Sequence, residues 1–137
     1  MIHPSAVIEP GAIVANDVTI GPFSYIGAEV IIHPGVQIKS HVVVTGKTEI
    51  GQESVVYSFA VIGEIPQDLK FNGEKTSLKI GKKNQIRENV TINVGTAGGG
   101  GLTSVGNNCL FMTGSHVAHD AKVGDNVIIA NCGAVAG

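Results

Sequence analysis

The stretch Met112-Thr113-Gly114-Ser115-His116-Val117-Ala118-His119-Asp120 places two histidines and an aspartate in a chain otherwise built from aliphatic, small and turn residues. An imidazole beside a carboxylate is the pair a general base needs. The ring takes a proton, and the carboxylate orients it and supports the imidazolium. Gly137 follows His119 by 18 residues, and its backbone N–H, covered by no side chain, can donate to a developing oxyanion. Brought together, such a base and donor serve the attack of a hydroxyl on a thioester. On spacing alone His119 can equally be an exposed corner histidine. His116 and His119 can also be read as metal ligands, but with no third ligand at a telling distance they do not define a zinc site, and no metal is expected.

Two other stretches bear on chemistry. Ile65-Pro66-Gln67-Asp68-Leu69-Lys70-Phe71 joins a turn, a carboxylate, a cation and an aromatic ring. It reads either as a solvated loop or as a segment that reaches over a neighbouring subunit to a sugar or diphosphate. The glycine tract Gly98 to Gly101 lacks the Lys-Ser or Lys-Thr that completes a phosphate loop, so it reads as a flexible flap rather than a nucleotide-triphosphate site.

What positions these residues is a period of six. From Ile2 the chain carries Ile8, Val14, Ile20, Ile26, Ile32, Ile38, Val44, Ile50, Val56 and Ile62 at that step, each Ile or Val. Two residues earlier stands a smaller or β-branched partner, as in Val18, Ser24, Val30 and Thr48. Residues two apart on a strand point the same way, so each hexad sends a large and a modest side chain inward. Gly21, Gly27, Gly51 and Gly63 follow the aliphatic residue, where a corner of positive φ is expected. Short strands joined by corners stack as a solenoid with coils about 4.8 Å apart. The pattern resembles the hexapeptide-repeat family, which implies an all-β, left-handed parallel β-helix with triangular coils of three hexads. The outward residues Val7, Tyr25, Val43 and Val61 then form an apolar stripe on one face, against Thr19, Gln37 and Glu49 on the others. Such a stripe is expected to be a subunit interface.

The rhythm breaks twice. Continuing past Ile62 would put Asp68 and Glu74 in the core, which the cost of burying charge forbids, so 64–79 is read as an excursion. Ile80, Ile86 and Ile92 resume the hexads, and a second break at 94–104 shifts the phase before Val105, Phe111, Val117, Val123, Ile129 and Val135. The whole of 1–137 reads as one β-helix domain, expected to continue past Gly137 because the chain stops in mid-hexad.

Composition narrows the class. Apolar residues make up 43% and aromatics 4%, so Ile, Val and Ala must fill a narrow interior. A net charge of −2 gives no drive toward nucleic acid or a membrane surface. Six of the nine basic side chains fall between Lys70 and Arg87 and are expected to dock an acidic partner or steer a diphosphate. Cys109 and Cys132 make no disulfide framework and read as reduced thiols. Met1-Ile2-His3-Pro4 opens directly into the repeat, and a cytoplasmic location is expected.

In order along the chain, Ile62-Gly63-Glu64, Gln67-Asp68-Leu69-Lys70, Gly73-Glu74, Ile86-Arg87-Glu88-Asn89-Val90-Thr91-Ile92, Gly98 to Thr103 and His116-Val117-Ala118-His119-Asp120 resemble the UDP-N-acetylglucosamine O-acyltransferase family that begins lipid A synthesis. The resemblance implies a homotrimer with sites between subunits, and no cofactor. The donor would be a 3-hydroxyacyl group on acyl carrier protein, passed directly to the 3-hydroxyl of the UDP-sugar. His119 matches the family's general base, Asp120 its supporting carboxylate and Gly137 its oxyanion donor. Asp68 and Lys70 match substrate contacts, with Gln67 beside them, and His116 matches a histidine of the acyl or sugar pocket. Asn93 takes a substrate-binding position where many relatives carry His. The alternatives are an N-acyltransferase or a coenzyme A-dependent acetyltransferase of the same repeat, a zinc-dependent hydratase, or a non-catalytic scaffold.

Overall fold

The computed structural model describes residues 1–137. Most hexads fold as a two-residue strand followed by a corner, and the strands pair in parallel with those one coil away. Val7 lies opposite Tyr25, Tyr25 opposite Val43 and Val43 opposite Val61, so an unbroken coil takes 18 residues. The strands assemble into three sheets of seven, six and six, the faces of a triangular column. Face 1 comprises Val7–Ile8, Tyr25–Ile26, Val43–Val44, Val61–Glu64, Thr91–Asn93, His116–Val117 and Ala134–Val135. The chain runs from face 1 to face 2 (Ile13–Val14 through Lys122–Val123), then to face 3 (Thr19–Ile20 through Ile128–Ile129).

The inward residues are those the period selects. Ile20, Ile26, Ile32, Ile50, Ile62, Ile80, Ile86 and Ile92 are buried, and Phe111 is the one aromatic ring in the column. Their smaller partners, among them Val30, Val42, Ser54 and Ala60, are buried beside them. Most polar residues that enter this interior have partners, Ser115 Oγ and Asn93 Oδ1 being exceptions. Asn84 accepts from Cys109 N–H at 2.8 Å, donates to the Gly106 carbonyl at 2.8 Å, and gives its own N–H to Ser54 Oγ. A fully bonded amide of that kind is tolerated in a core.

The corners differ from the expectation. Positive φ falls three residues after the inward aliphatic residue, on Phe23, His41, Glu53, Phe59, Lys83, Asn89, Asn108, Asp120, Asn126 and Cys132. Of the four glycines singled out by sequence, only Gly63 has positive φ, at 90°. The others answer to close approach between coils. A Cβ on Gly51 would lie 2.5 Å from the Gly81 carbonyl carbon, and one on Gly21 would lie 2.8 Å from the Lys39 carbonyl carbon. Backbone in the next coil cannot yield to that methyl group. Gly51→Ala is therefore expected to lower stability by about 1–3 kcal/mol, read from the midpoint of a denaturant titration.

The two excursions are shorter than the sequence suggested. Val61–Glu64 continues as strand through Glu64, and the next strand begins at Ser77, leaving 65–76 as loop. The second loop is 94–101, between Thr91–Asn93 and Leu102–Val105. Both leave face 1 and enter face 2. The basic span does not form one patch, because it follows the chain around the column. Lys70 and Lys75 lie in the first loop, Lys79 stands on face 2, Lys82 and Lys83 turn the corner to face 3, and the Arg87 guanidinium lies 4.5 Å from the Tyr57 ring centroid. Two other histidines also have partners. His33 Nε2 lies 2.7 Å from Glu49 Oε1, and His41 sits between Phe23 and Phe59 with ring centroids 5.2 and 5.3 Å away. No helix is long and apolar enough to cross a membrane.

Candidate active site

The corner that leads from face 1 to face 2 carries the candidate chemistry on three successive coils. The first contributes the 65–76 loop, the second the 94–101 loop, and the third the turn after His116–Val117, where His119 and Asp120 stand. A strand pair sets the fourth level: His116 lies opposite Ala134 and Val117 opposite Val135, which stacks Gly137 on His119. A Cβ built on Gly137 would lie 2.6 Å from the His119 carbonyl oxygen and 2.7 Å from its Cε1.

Asp68, Lys70, Glu74, Thr96, Gly98, Gly99, His119, Asp120 and Gly137 line a cleft of about 420 Å³. His119 Nδ1 lies 3.0 Å from Asp120 Oδ2, and its Nε2 lies 4.0 Å from Asp68 Oδ2. With Asp120 accepting from Nδ1–H, the lone pair of Nε2 faces the cleft. Asp120 itself has φ of 63°, a conformation aspartate tolerates because its short side chain bonds locally. Its N–H donates to Thr103 Oγ1 at 2.8 Å, which ties the turn to face 2.

Burial opposes ionisation of the Asp120 carboxyl, but hydrogen bonds from the Thr96 hydroxyl, His119 and the Thr96 N–H outweigh it and hold the group below its usual range. The backbone N–H groups of Asn72, Glu74 and Ala97 likewise lower the Glu74 carboxyl. A carboxylate lowered in the folded state stabilises that state above its unfolded pKa, and the contribution is lost as pH falls through the folded value. Protection of the amides in 94–101, taken relative to their intrinsic exchange rates, is therefore expected to fall selectively as pH drops below about 4, the ordinary carboxylate range. Equal protection at pH 3 and pH 6 would contradict this.

The structure gathers five of the sequence-selected residues into the cleft: His119, Asp120, Gly137, Asp68 and Lys70. It does not gather the other three. Gln67 is exposed on the loop and does not line the cleft. His116 stands on the outer surface of face 1, with Nδ1 2.7 Å from Thr91 Oγ1. Asn93 is buried at the end of Thr91–Asn93, and its Oδ1 has no hydrogen-bond partner. Thr96, Glu74 and Thr103 were not selected from sequence. Their signal lay in the phase of the breaks. Both excursions follow an inward residue of face 1, Ile62 or Ile92, as His119 follows Val117.

Known proteins resemble this chain in sequence and in fold. A family model described as bacterial transferase hexapeptide (six repeats) matches residues 102–137. An acyl-[acyl-carrier-protein]–UDP-N-acetylglucosamine O-acyltransferase of Rickettsia canadensis is 53% identical over 121 residues, covering 88% of this chain and 46% of the relative. A solved UDP-N-acetylglucosamine acyltransferase of Bacteroides fragilis superposes with a TM-score of 0.97 at 48% identity, over 100% of this chain and 53% of that one. LpxA from Acinetobacter baumannii gives 0.98 at 48% identity, over 99% of this chain and 53% of that one. The fold is thus a left-handed parallel β-helix. The chain spans about half the length of the curated relatives it matches.

Proposed function

The chain is a homologue of the UDP-N-acetylglucosamine O-acyltransferases, and we propose that the protein carrying it moves a 3-hydroxyacyl group from acyl carrier protein to the 3-hydroxyl of UDP-N-acetylglucosamine. The observation that carries this reading is the stacking of His119, with Nδ1 on Asp120, against Gly137 in a cleft that also holds Asp68 and Lys70. In the proposed reaction the sugar hydroxyl donates to His119 Nε2 and attacks the thioester carbonyl as the ring takes its proton. The Gly137 N–H donates to the oxyanion of the tetrahedral intermediate. Collapse expels the carrier thiolate, which takes the proton back from the imidazolium. Asp120 orients the ring and supports its charge. Asp68, 4.0 Å from Nε2, is placed to accept from a sugar hydroxyl, and the Lys70 ammonium to meet the diphosphate. No step requires a cofactor or either cysteine.

The proposed assembly is a homotrimer. Val7, Tyr25, Val43 and Val61 form one outward row on face 1, flanked by the exposed rings of Phe23 and Phe59. The row continues through Thr91 to His116, beside the cleft. A subunit packed there would cover the apolar row and wall the open side of the site. That arrangement gives Gln67 and His116 their proposed contacts with substrate across the interface, whereas the proposed contact of Asn93, which is buried, is not explained by it. Acyl carrier protein and UDP-sugars are cytoplasmic, so the proposal places the reaction, the first of lipid A synthesis, there.

The test is product analysis with the complete protein, 3-hydroxyacyl carrier protein and UDP-N-acetylglucosamine. The expected product is a UDP-sugar bearing one 3-hydroxyacyl ester, found by mass spectrometry. Amide formation on an amino sugar, or transfer from acetyl-coenzyme A in preference to the carrier protein, would overturn the reading in favour of another hexapeptide transferase.

A further inference from the structure

Thr96 has no place in the reaction as written, yet it is bound to Asp120 from two directions. Its N–H donates to Oδ1 at 2.8 Å and its hydroxyl donates to Oδ2 at 2.5 Å. Oδ2 is the same oxygen that faces His119 Nδ1 at 3.0 Å. The Thr96 hydroxyl oxygen accepts from Gly99 N–H at 3.1 Å, and the Thr96 carbonyl accepts from Gly101 N–H at 2.7 Å. An N–H can only donate, so the Gly99 bond leaves the single hydroxyl proton of Thr96 directed at Asp120. The side chain is thus fully committed and Thr96 is buried. Glu74 braces the same segment from the other loop, its Oε2 accepting from Ala97 N–H at 3.1 Å and its Oε1 from Asn72 N–H at 2.7 Å.

We propose that Thr96 is a positioning residue for acyl transfer: it pins the plane of the Asp120 carboxylate and thereby holds His119 in the tautomer with its proton on Nδ1. This rests on the reading of His119 as the base. A carboxylate held by one partner turns freely about its Cβ–Cγ bond. A donor on each oxygen, both from one residue, stops that rotation with Oδ2 facing the ring. The setting matters because the neutral ring of an unconstrained histidine favours the proton on Nε2, and that tautomer turns the cleft-facing nitrogen into a donor that cannot take the hydroxyl proton. The glycine tract is thereby a fixed support rather than a flap. A Cβ on Gly95 would come within 2.6 Å of Asp120 Oδ1, and one on Gly99 would overlap the carboxylate, so only glycine lets the loop close on it.

The experiment reads the His119 tautomer from its ring 15N resonances in the complete protein, in parallel with steady-state kinetics. Wild type is expected to show the Nδ1–H form. Thr96→Val, nearly equal in volume, is expected to show a mixture with Nε2–H and a kcat lower by about tenfold or more, with KM for the sugar nucleotide changed by less than about twofold. Thr96→Ser keeps the hydroxyl and is expected to restore both readouts. A purely structural role for Thr96 would leave the tautomer in Thr96→Val as in wild type. That result, beside an inactive His119→Ala, defeats this proposal alone. A wild-type rate in His119→Ala defeats the base reading on which it rests.

Discussion

His119→Ala is expected to leave the coils intact and to lower kcat for acyl transfer by on the order of a hundredfold or more. The two halves of that expectation have separate grounds. The imidazole stands at a corner, 27% exposed, and packs outside the column of Ile and Val that holds the coils together. Its removal opens no core cavity, and Asp120 keeps its bonds to Thr96 and Thr103. Thermal unfolding should therefore shift little. The reaction loses the only imidazole lone pair in the cleft, the one whose ring is oriented by a carboxylate. Asp68 does not replace it, because its carboxylate has no second group to support the proton it would take. KM for the sugar nucleotide is expected to stay within about threefold, since the lost interaction strengthens only in the transition state.

Gly137→Ala is expected to lower kcat by a comparable factor, on the order of a hundredfold, by a different route. The added methyl group would lie 2.6 Å from the His119 carbonyl oxygen, 2.7 Å from Cε1 and 2.9 Å from Nδ1. The carbonyl belongs to the backbone of the stacked coil and cannot move far. The ring can, and it yields by swinging away from Asp120 Oδ2. One methyl group thus displaces the base and covers the amide proposed to receive the oxyanion. Steady-state kinetics with both substrates saturating is the check. A variant within about threefold of wild type would show that neither the ring position nor the amide limits the rate.

How far the sequence reached depended on what the period controls. Strand positions and inward residues follow from a count of six, because a solenoid repeats its geometry at every coil. That is why Ile20 to Ile62 named the core and why an 18-residue step paired His119 with Gly137. The corners were misplaced by two residues. Gly51 and Gly21 suggested positive φ, but that conformation sits two residues later, on Glu53 and Phe23, and the glycines serve coil stacking. The basic span is dispersed for a related reason. Neighbours in sequence look like a patch, whereas in a triangular coil Lys70, Lys79 and Arg87 belong to different sides. Thr96 and Glu74 were out of reach because their bonds follow from loop conformation, which no repeat dictates. Only the position of the loops, above the histidine at one corner, was open to counting.

The most direct test of the base assignment is the pH dependence of kcat/KM in wild type and His119→Gln, measured on the complete protein with UDP-N-acetylglucosamine as the varied substrate. With an imidazole as base, wild-type kcat/KM must fall about tenfold per pH unit on the acid side, where that ring carries a proton before the substrate arrives. The glutamine variant is expected to be slow and flat across the same range. An acid limb of equal position and slope in both proteins would assign the ionisation to another group and contradict the account.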